Sequence, residues 1–176
     1  MMDSVILVDE EDNAIGIMEK MEAHEKGQLH RAFSVVVFNS QGQMLIQKRA
    51  AKKYHSGGLW TNACCSHPTP KEEIELTVKK RLLYEMGIEL SPQFIYKFVY
   101  QINLDQNLIE HEVDYVFKGI YDGEPSVNAE EVEDWKFISI ADLVNEMEAN
   151  PDQYTYWFKL IVNHPEFQYL ASYPSK

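Results

Sequence analysis

Apolar and polar positions recur along this chain at two spacings, every second residue and every third or fourth, and the switches between them divide it into elements. Ser4 to Asp9 is a short apolar run closed by the Glu10-Glu11-Asp12-Asn13 turn cluster, and Ile15 to Glu19 resumes it, which predicts a hairpin of two short strands. Lys20 to His30 is too polar for a core element and is interrupted by Gly27, so His24 and His30 converge only if the chain turns between them. Phe33–Phe38, the Asn39–Gly42 turn and Met44–Arg49 form a second hairpin signature. After a loop carrying Gly57-Gly58 comes an extended stretch, Trp60 to Pro68.

A helix follows, with Thr69 as its N-cap, Pro70 at the first helical position, Glu72 completing a capping box and Gly87 as the stop. Ile74, Val78, Leu82 and Met86 give it an apolar stripe, with Arg81 and Glu85 along the edge of that face. Phe94, Phe98, Tyr100 and Ile102 fall on alternate positions of a further strand. In the next, Ile109, Val113, Tyr115 and Phe117 share one face while Glu110, Glu112 and Asp114 share the other. Trp135–Ile138 is a last strand. Ser139 and Asp142 cap a helix through Met147, Asn150-Pro151 breaks it, and Tyr156–Val162 forms another. Repeats, low-complexity segments and linkers are absent. The expectation is a single α+β domain over residues 1–176, with a mixed, mostly antiparallel sheet flanked by helices, a core over about 4–162 and a short C-terminal tail.

A formal net charge of -12 argues against nucleic acid and against acidic membrane surfaces. Lys48-Arg49-Ala50-Ala51-Lys52-Lys53 nevertheless concentrates four of the 16 basic residues, a cationic island suited to a small anionic ligand. No obligatory protein partner is evident. Cys64 and Cys65 are adjacent and point to opposite faces of an extended segment, which argues against a disulfide between them. With no N-terminal signal and no apolar run of membrane-spanning length, the expected location is the cytoplasm.

The chemistry gathers in a few places. Cys65 and His67 leave one face of an extended segment, compatible with a zinc site or a thiol nucleophile. His24, His30 and His67 in polar settings, with Glu110 and Glu112 on one strand face, are the inventory of a divalent-metal site accepting Mn, Fe, Zn or Mg. His55, His111 and His164 read as ordinary hydrogen-bonding histidines, Cys64 as a small hydrophobe and Trp157 with its neighbours as core. Asp114 has no assigned task.

Glu72 and Glu85-Met86-Gly87-Ile88 resemble a degenerate Nudix box, in which a helix supplies metal-binding glutamates for a diphosphate substrate. Ser66 stands in place of the leading glycine, Lys80-Arg81 in place of Arg-Glu, and Tyr84 in place of the penultimate glutamate, which argues against hydrolysis. Thr61 to Pro68, His24 with His30, Glu110-His111-Glu112 and Tyr84 to Gly87 together resemble type 1 isopentenyl diphosphate isomerases of the Nudix superfamily, in order from about Ser4 to about Val162. The resemblance implies that His24, His30, His67, Glu110 and Glu112 hold one divalent metal, Mn2+ or Mg2+ ahead of Zn2+, and that Glu85 places Mg2+ on the substrate diphosphate. It implies that Lys20, Arg49, Lys53 and Arg81 surround that diphosphate, that Cys65 and Glu112 transfer protons, that Tyr100 supports them, and that Trp157 is an aromatic wall. The implied reaction interconverts isopentenyl and dimethylallyl diphosphate through a carbocation-like state. The rivals are a Nudix-type hydrolase, which needs the full set of helix glutamates, and a metal-binding protein without catalysis.

Overall fold

In the computed structural model, which describes residues 3–172, the elements follow in the order β1 (Ser4–Val8), β2 (Ala14–Glu19), α1 (Lys20–Lys26), β3 (His30–Phe38), β4 (Met44–Arg49), β5 (Trp60–Asn62), β6 (Cys64–Ser66), α2 (Ile74–Met86), β7 (Gln93–Asn103), β8 (Ile109–Ile120), β9 (Val132–Ile138), α3 (Ile140–Ala149), α4 (Tyr156–Asn163) and α5 (Pro165–Ala171). Strand β3 is the hub. It pairs antiparallel with β1, β4 and β6, and parallel with β8 in an unbroken register from His30↔Glu112 to Phe38↔Ile120. Both its faces are covered: Val36 and Phe38 pack on the side of α3, α4 and α5, Phe33, Val35 and Val37 on the side of α2. A strand buried on both faces reads as a continuous apolar run, which is why 33–38 shows little alternation. Each fully buried Phe there contributes about 1.5–3 kcal/mol of transfer free energy.

Strand β4 pairs with β3 only through Leu45 and Met44. With β9 along its other edge throughout, it then diverges from β3 to pair with β5 through Ile46–Lys48, and β6 takes the vacated edge of β3 at Phe33–Val35. The cavity described below is lined from both branches of this fork and from the carboxylate face of β8.

Two local expectations are corrected, and one segment without an assigned element gains one. The polar segment after β2 is a helix, α1, which forms through its ends rather than through burial. The Glu19 carboxylate accepts from the Glu22 backbone N–H at 2.8 Å, and Gly27 closes the other end at φ 62, turning the chain so that His24 and His30 meet. Helix α2 starts at Ile74 rather than at Pro70, because Lys71 adopts φ 67, outside the helical region; Glu72 reaches forward to the Thr77 hydroxyl at 2.6 Å instead of back. A bulge in β7 between Phe94 and Tyr96 leaves Phe94 opposite Phe117, on the face away from Tyr96, Phe98, Tyr100 and Ile102. Beyond Val162, α5 adds Phe167 to the core against Phe38. Among the described residues no helix is long and apolar enough to cross a membrane.

Candidate metal and anion site

Helix α1 supplies His24, the first residue of β3 is His30, and His67 follows β6; their rings lie 4.9–5.5 Å apart between centroids. His24 Nδ1 sits 2.7 Å from the Lys20 carbonyl and His30 Nδ1 2.8 Å from that of Gln28. A carbonyl only accepts, so both Nδ1 atoms carry the hydrogen and both Nε2 lone pairs point inward. Those two Nε2 atoms are buried without a hydrogen-bond partner. Together with His67 Nε2 they converge on one oxygen, Glu112 Oε1, at 3.9, 3.4 and 3.0 Å. Two partnerless inward Nε2 atoms, with a third imidazole beside them around one carboxylate, suit a divalent cation. Burial, with His67 beside it, pushes His24 down to about 4, and burial lowers His67 as well, so both are neutral ligands near pH 7.

Glu110 faces the same interior from one pleat away. Its Oε2 accepts from Tyr100 at 2.9 Å and its Oε1 lies 3.1 Å from His55 Nε2. Two sets of ligand atoms result, each within 4.8 Å: His24, His30, His67 and Glu112, and His24, His55 and Glu110, joined through His24. Tyr100, the register partner of Glu112 on β7, also donates to Glu112 Oε2 at 2.7 Å. Burial and the two carboxylates hold its phenol well above the usual range, so it stays a proton donor. Burial raises the Glu112 carboxyl, but the His30 and His67 imidazole nitrogens facing its Oε1 outweigh this and hold it well below the usual range. Asp114 differs: its Oδ2 accepts from Ser34 at 2.8 Å, its Oδ1 has no partner, and burial with Glu112 nearby pushes its carboxyl well above the usual range.

Across the cavity Cys65 presents its thiol from β6, where it pairs in register with Ser34, while Cys64 is fully buried on the opposite face against α2. Arg49 donates to the sulfur at 3.6 Å and to the His55 carbonyl at 3.2 Å. Burial pushes the Cys65 thiol up to about 12, with Arg49 opposing, so the sulfur holds its proton at rest. Trp157 on α4 closes this side, with the Arg49 guanidinium 5.3 Å from its ring centroid and His55 edge-on at 5.8 Å.

His67, Glu110, Glu112, Asp114, Tyr100, Cys65, His55, Arg49 and Trp157 line one cavity of about 550 Å³ that also receives Lys20, Lys53 and Arg81. Each of these cations is paired: Lys20 with Asp3 at 2.8 Å, Lys53 with Glu131, and Arg81 with Glu85 at 2.5 Å and Glu131 at 3.6 Å. Glu85 lies apart from the imidazoles, held between Arg81 and the Gln47 amide, 3.1 Å away. The structure thus gathers His24, His30, His67 and Glu112 in one set, places Glu110 and Tyr100 beside it, and gives Glu85 a separate anionic corner.

His55 hydrogen-bonds, as expected of an ordinary histidine, but to Glu110 inside the cavity. Its loop has no periodicity to mark it. Tyr54 and Glu131 are further lining residues without a sequence signal. His111 and His164 keep the ordinary role, the first against the Gly27 carbonyl at 3.1 Å, the second stacked on Tyr96 and accepting from the Glu166 backbone.

Residues 28–158 match the NUDIX domain family. Isopentenyl-diphosphate Delta-isomerase 2 of Aromatoleum aromaticum is 47% identical, over 89% of this chain and 83% of its own length. Isopentenyl-diphosphate Delta-isomerase 2 of Photorhabdus laumondii is also 47% identical, over 95% of both. Among solved structures, protein DR0079 of Deinococcus radiodurans superposes with TM-score 0.74 at 18% identity over 90% of this chain and 96% of that one. The MutT protein of Methanosarcina mazei gives 0.65 at 14%, over 84% and 96%. At those identities the structural likeness concerns the fold alone.

Proposed function

The chain belongs to the isopentenyl-diphosphate Delta-isomerases of the NUDIX domain family, and on that premise we propose that it interconverts isopentenyl and dimethylallyl diphosphate with Cys65 and Glu112 as its two proton-transfer groups. The observation that carries this is the division of the cavity: the thiol on β6 and the Tyr100–Glu112 pair on β7 and β8 reach it from separate strands, with cations alongside. Helix α2 supports the isomerase over a hydrolase. Arg81 and Tyr84 stand where hydrolytic glutamates are expected, and Arg81 spends its charge on Glu85.

Shifting the double bond adds a proton at the terminal alkene carbon and removes one from the carbon next to the diphosphate-bearing methylene, through a tertiary cation. Glu112, a carboxylate at rest, passes on the first from the Tyr100 hydroxyl that donates to it. Cys65 Sγ takes the second, its thiolate stabilised by Arg49; the reverse reaction starts from the thiol, the form that burial favours. Trp157 and Tyr54 keep water from the cation, and an indole face contributes about 2 kcal/mol when desolvated. His24, His30, His67, Glu110 and Glu112 would hold one divalent ion, Mn2+ or Mg2+ ahead of Zn2+, supplying positive charge that acidifies the proton donor. Glu85 would hold a magnesium ion carried by the substrate diphosphate, and Lys20, Arg49, Lys53 and Arg81 would bind the phosphate oxygens.

Incubation of the purified protein with isopentenyl diphosphate, following allylic product and released phosphate together, tests the reading. Allylic product without phosphate is expected; phosphate release without isomerisation overturns it.

A further inference from the structure

Glu131 matched no expectation from the sequence, yet it occupies the centre of the cationic side of the cavity. A single oxygen, Oε2, bridges Lys53 and Arg81. The backbone holds it there. The Glu131 carbonyl accepts from the Ala50 N–H at 2.9 Å, its N–H donates to the Asn128 carbonyl at 2.9 Å, and the Asn128 N–H donates to the Glu85 carbonyl at 2.9 Å, so the turn before β9 is tied both to the end of β4 and to the end of α2. The side chain is 16% exposed.

The result is an anion-binding corner largely neutralised in advance. Lys20, Arg49, Lys53 and Arg81 face Asp3, Glu85 and Glu131, leaving one net positive charge among these groups. An organic diphosphate carries about three negative charges near neutral pH, and about one once it holds a magnesium ion. The magnesium form matches this corner and the bare form does not. We propose that Glu131 is a specificity-determining residue, a fixed counter-anion that makes the site accept magnesium diphosphate and discriminate against the uncomplexed anion. This deepens the proposed function and rests on its diphosphate site, but not on the proton-transfer roles of Cys65 and Glu112.

Calorimetric titration of inorganic pyrophosphate into the metal-loaded protein, with and without added Mg2+, tests it. The wild type is expected to bind far more tightly with Mg2+. Glu131→Gln removes one negative charge within contact distance, so its affinity for pyrophosphate alone should rise about tenfold or more, collapsing the ratio between the two conditions. Glu131→Asp, which keeps the charge, should retain the wild-type ratio. A Gln variant with an unchanged ratio, or equal weakening in both conditions, overturns the inference, as does an Asp variant that behaves like Gln. Wild-type protein that binds pyrophosphate in neither condition overturns the diphosphate reading itself.

Discussion

Cys65 and His67 are two residues apart, and the side chains that meet them give them separate tasks. His67 Nε2 closes on Glu112, whereas Cys65 meets Arg49, packs against the core cluster that holds Trp157 and faces the cavity. Removing the sulfur therefore removes the proposed proton-transfer group without disturbing an imidazole. Cys65→Ala should lower kcat by about 10²–10⁴-fold while elemental analysis finds the same metal content; retained turnover would refute the role of the thiol. His55 gives the complementary case. Its Nε2 holds Glu110, and its ring borders Trp157 and Tyr54. His55→Ala leaves a buried carboxylate with one partner fewer, so chelator titration should show metal released about 10–100-fold more readily. Unchanged metal retention would reduce His55 to a packing residue.

At the scale of elements, α1 matters because it buries only Ala23 and His24, yet it carries the first imidazole. Gly27 lets it stop in time. At φ +62 a Cβ there would be strained and would stand 3.2 Å from Ile109 side-chain carbons, so Gly27→Ala should cost about 1–2 kcal/mol in denaturant unfolding and loosen the His24–His30 approach. A variant of wild-type stability and metal affinity would contradict this. Periodicity does not reveal α1, whose ends are set by a capping carboxylate and a left-handed glycine rather than by an apolar stripe. Where burial sets the pattern, sequence and structure agree closely: β4 spans Met44–Arg49 as read, Gly87 ends α2, and the parity of β8 sorts Glu110, Glu112 and Asp114 from Val113, Tyr115 and Phe117. The candidate ligands were legible through residue type and resemblance. His55, Tyr54 and Glu131 were not, because loops put side chains into a cavity through long-range hydrogen bonds that leave no local period. The capping-box pattern at Thr69 does not start a helix for a different, local reason: the left-handed Lys71 intervenes.

The β1–β2 hairpin leads directly into α1 and hence to Lys20 and His24, but β1 meets β3 through the single pair Leu7↔His30. Its far end is fastened by Asp12, which accepts from Arg31 Nε at 2.8 Å on β3, from Lys97 at 2.7 Å on β7, and from the Tyr115 hydroxyl on β8. Burial raises the Asp12 carboxyl, but the bonds from Lys97, Tyr115 and Arg31 win and hold it below the usual range. A carboxylate depressed in the folded state stabilises above its unfolded pKa, near 4, and that contribution is lost as pH falls through the folded value. Asp12→Asn removes the charge while tolerating the left-handed backbone at φ 64. It should cost about 1–3 kcal/mol at pH 7, and its stability gap to wild type should shrink steadily as the pH is lowered below about 4. Hydrogen exchange should show where the loss falls, with faster opening of β1 and β2 and little change in β8. A gap that stays constant across the acid range would show that the Asp12 charge does not fasten the hairpin.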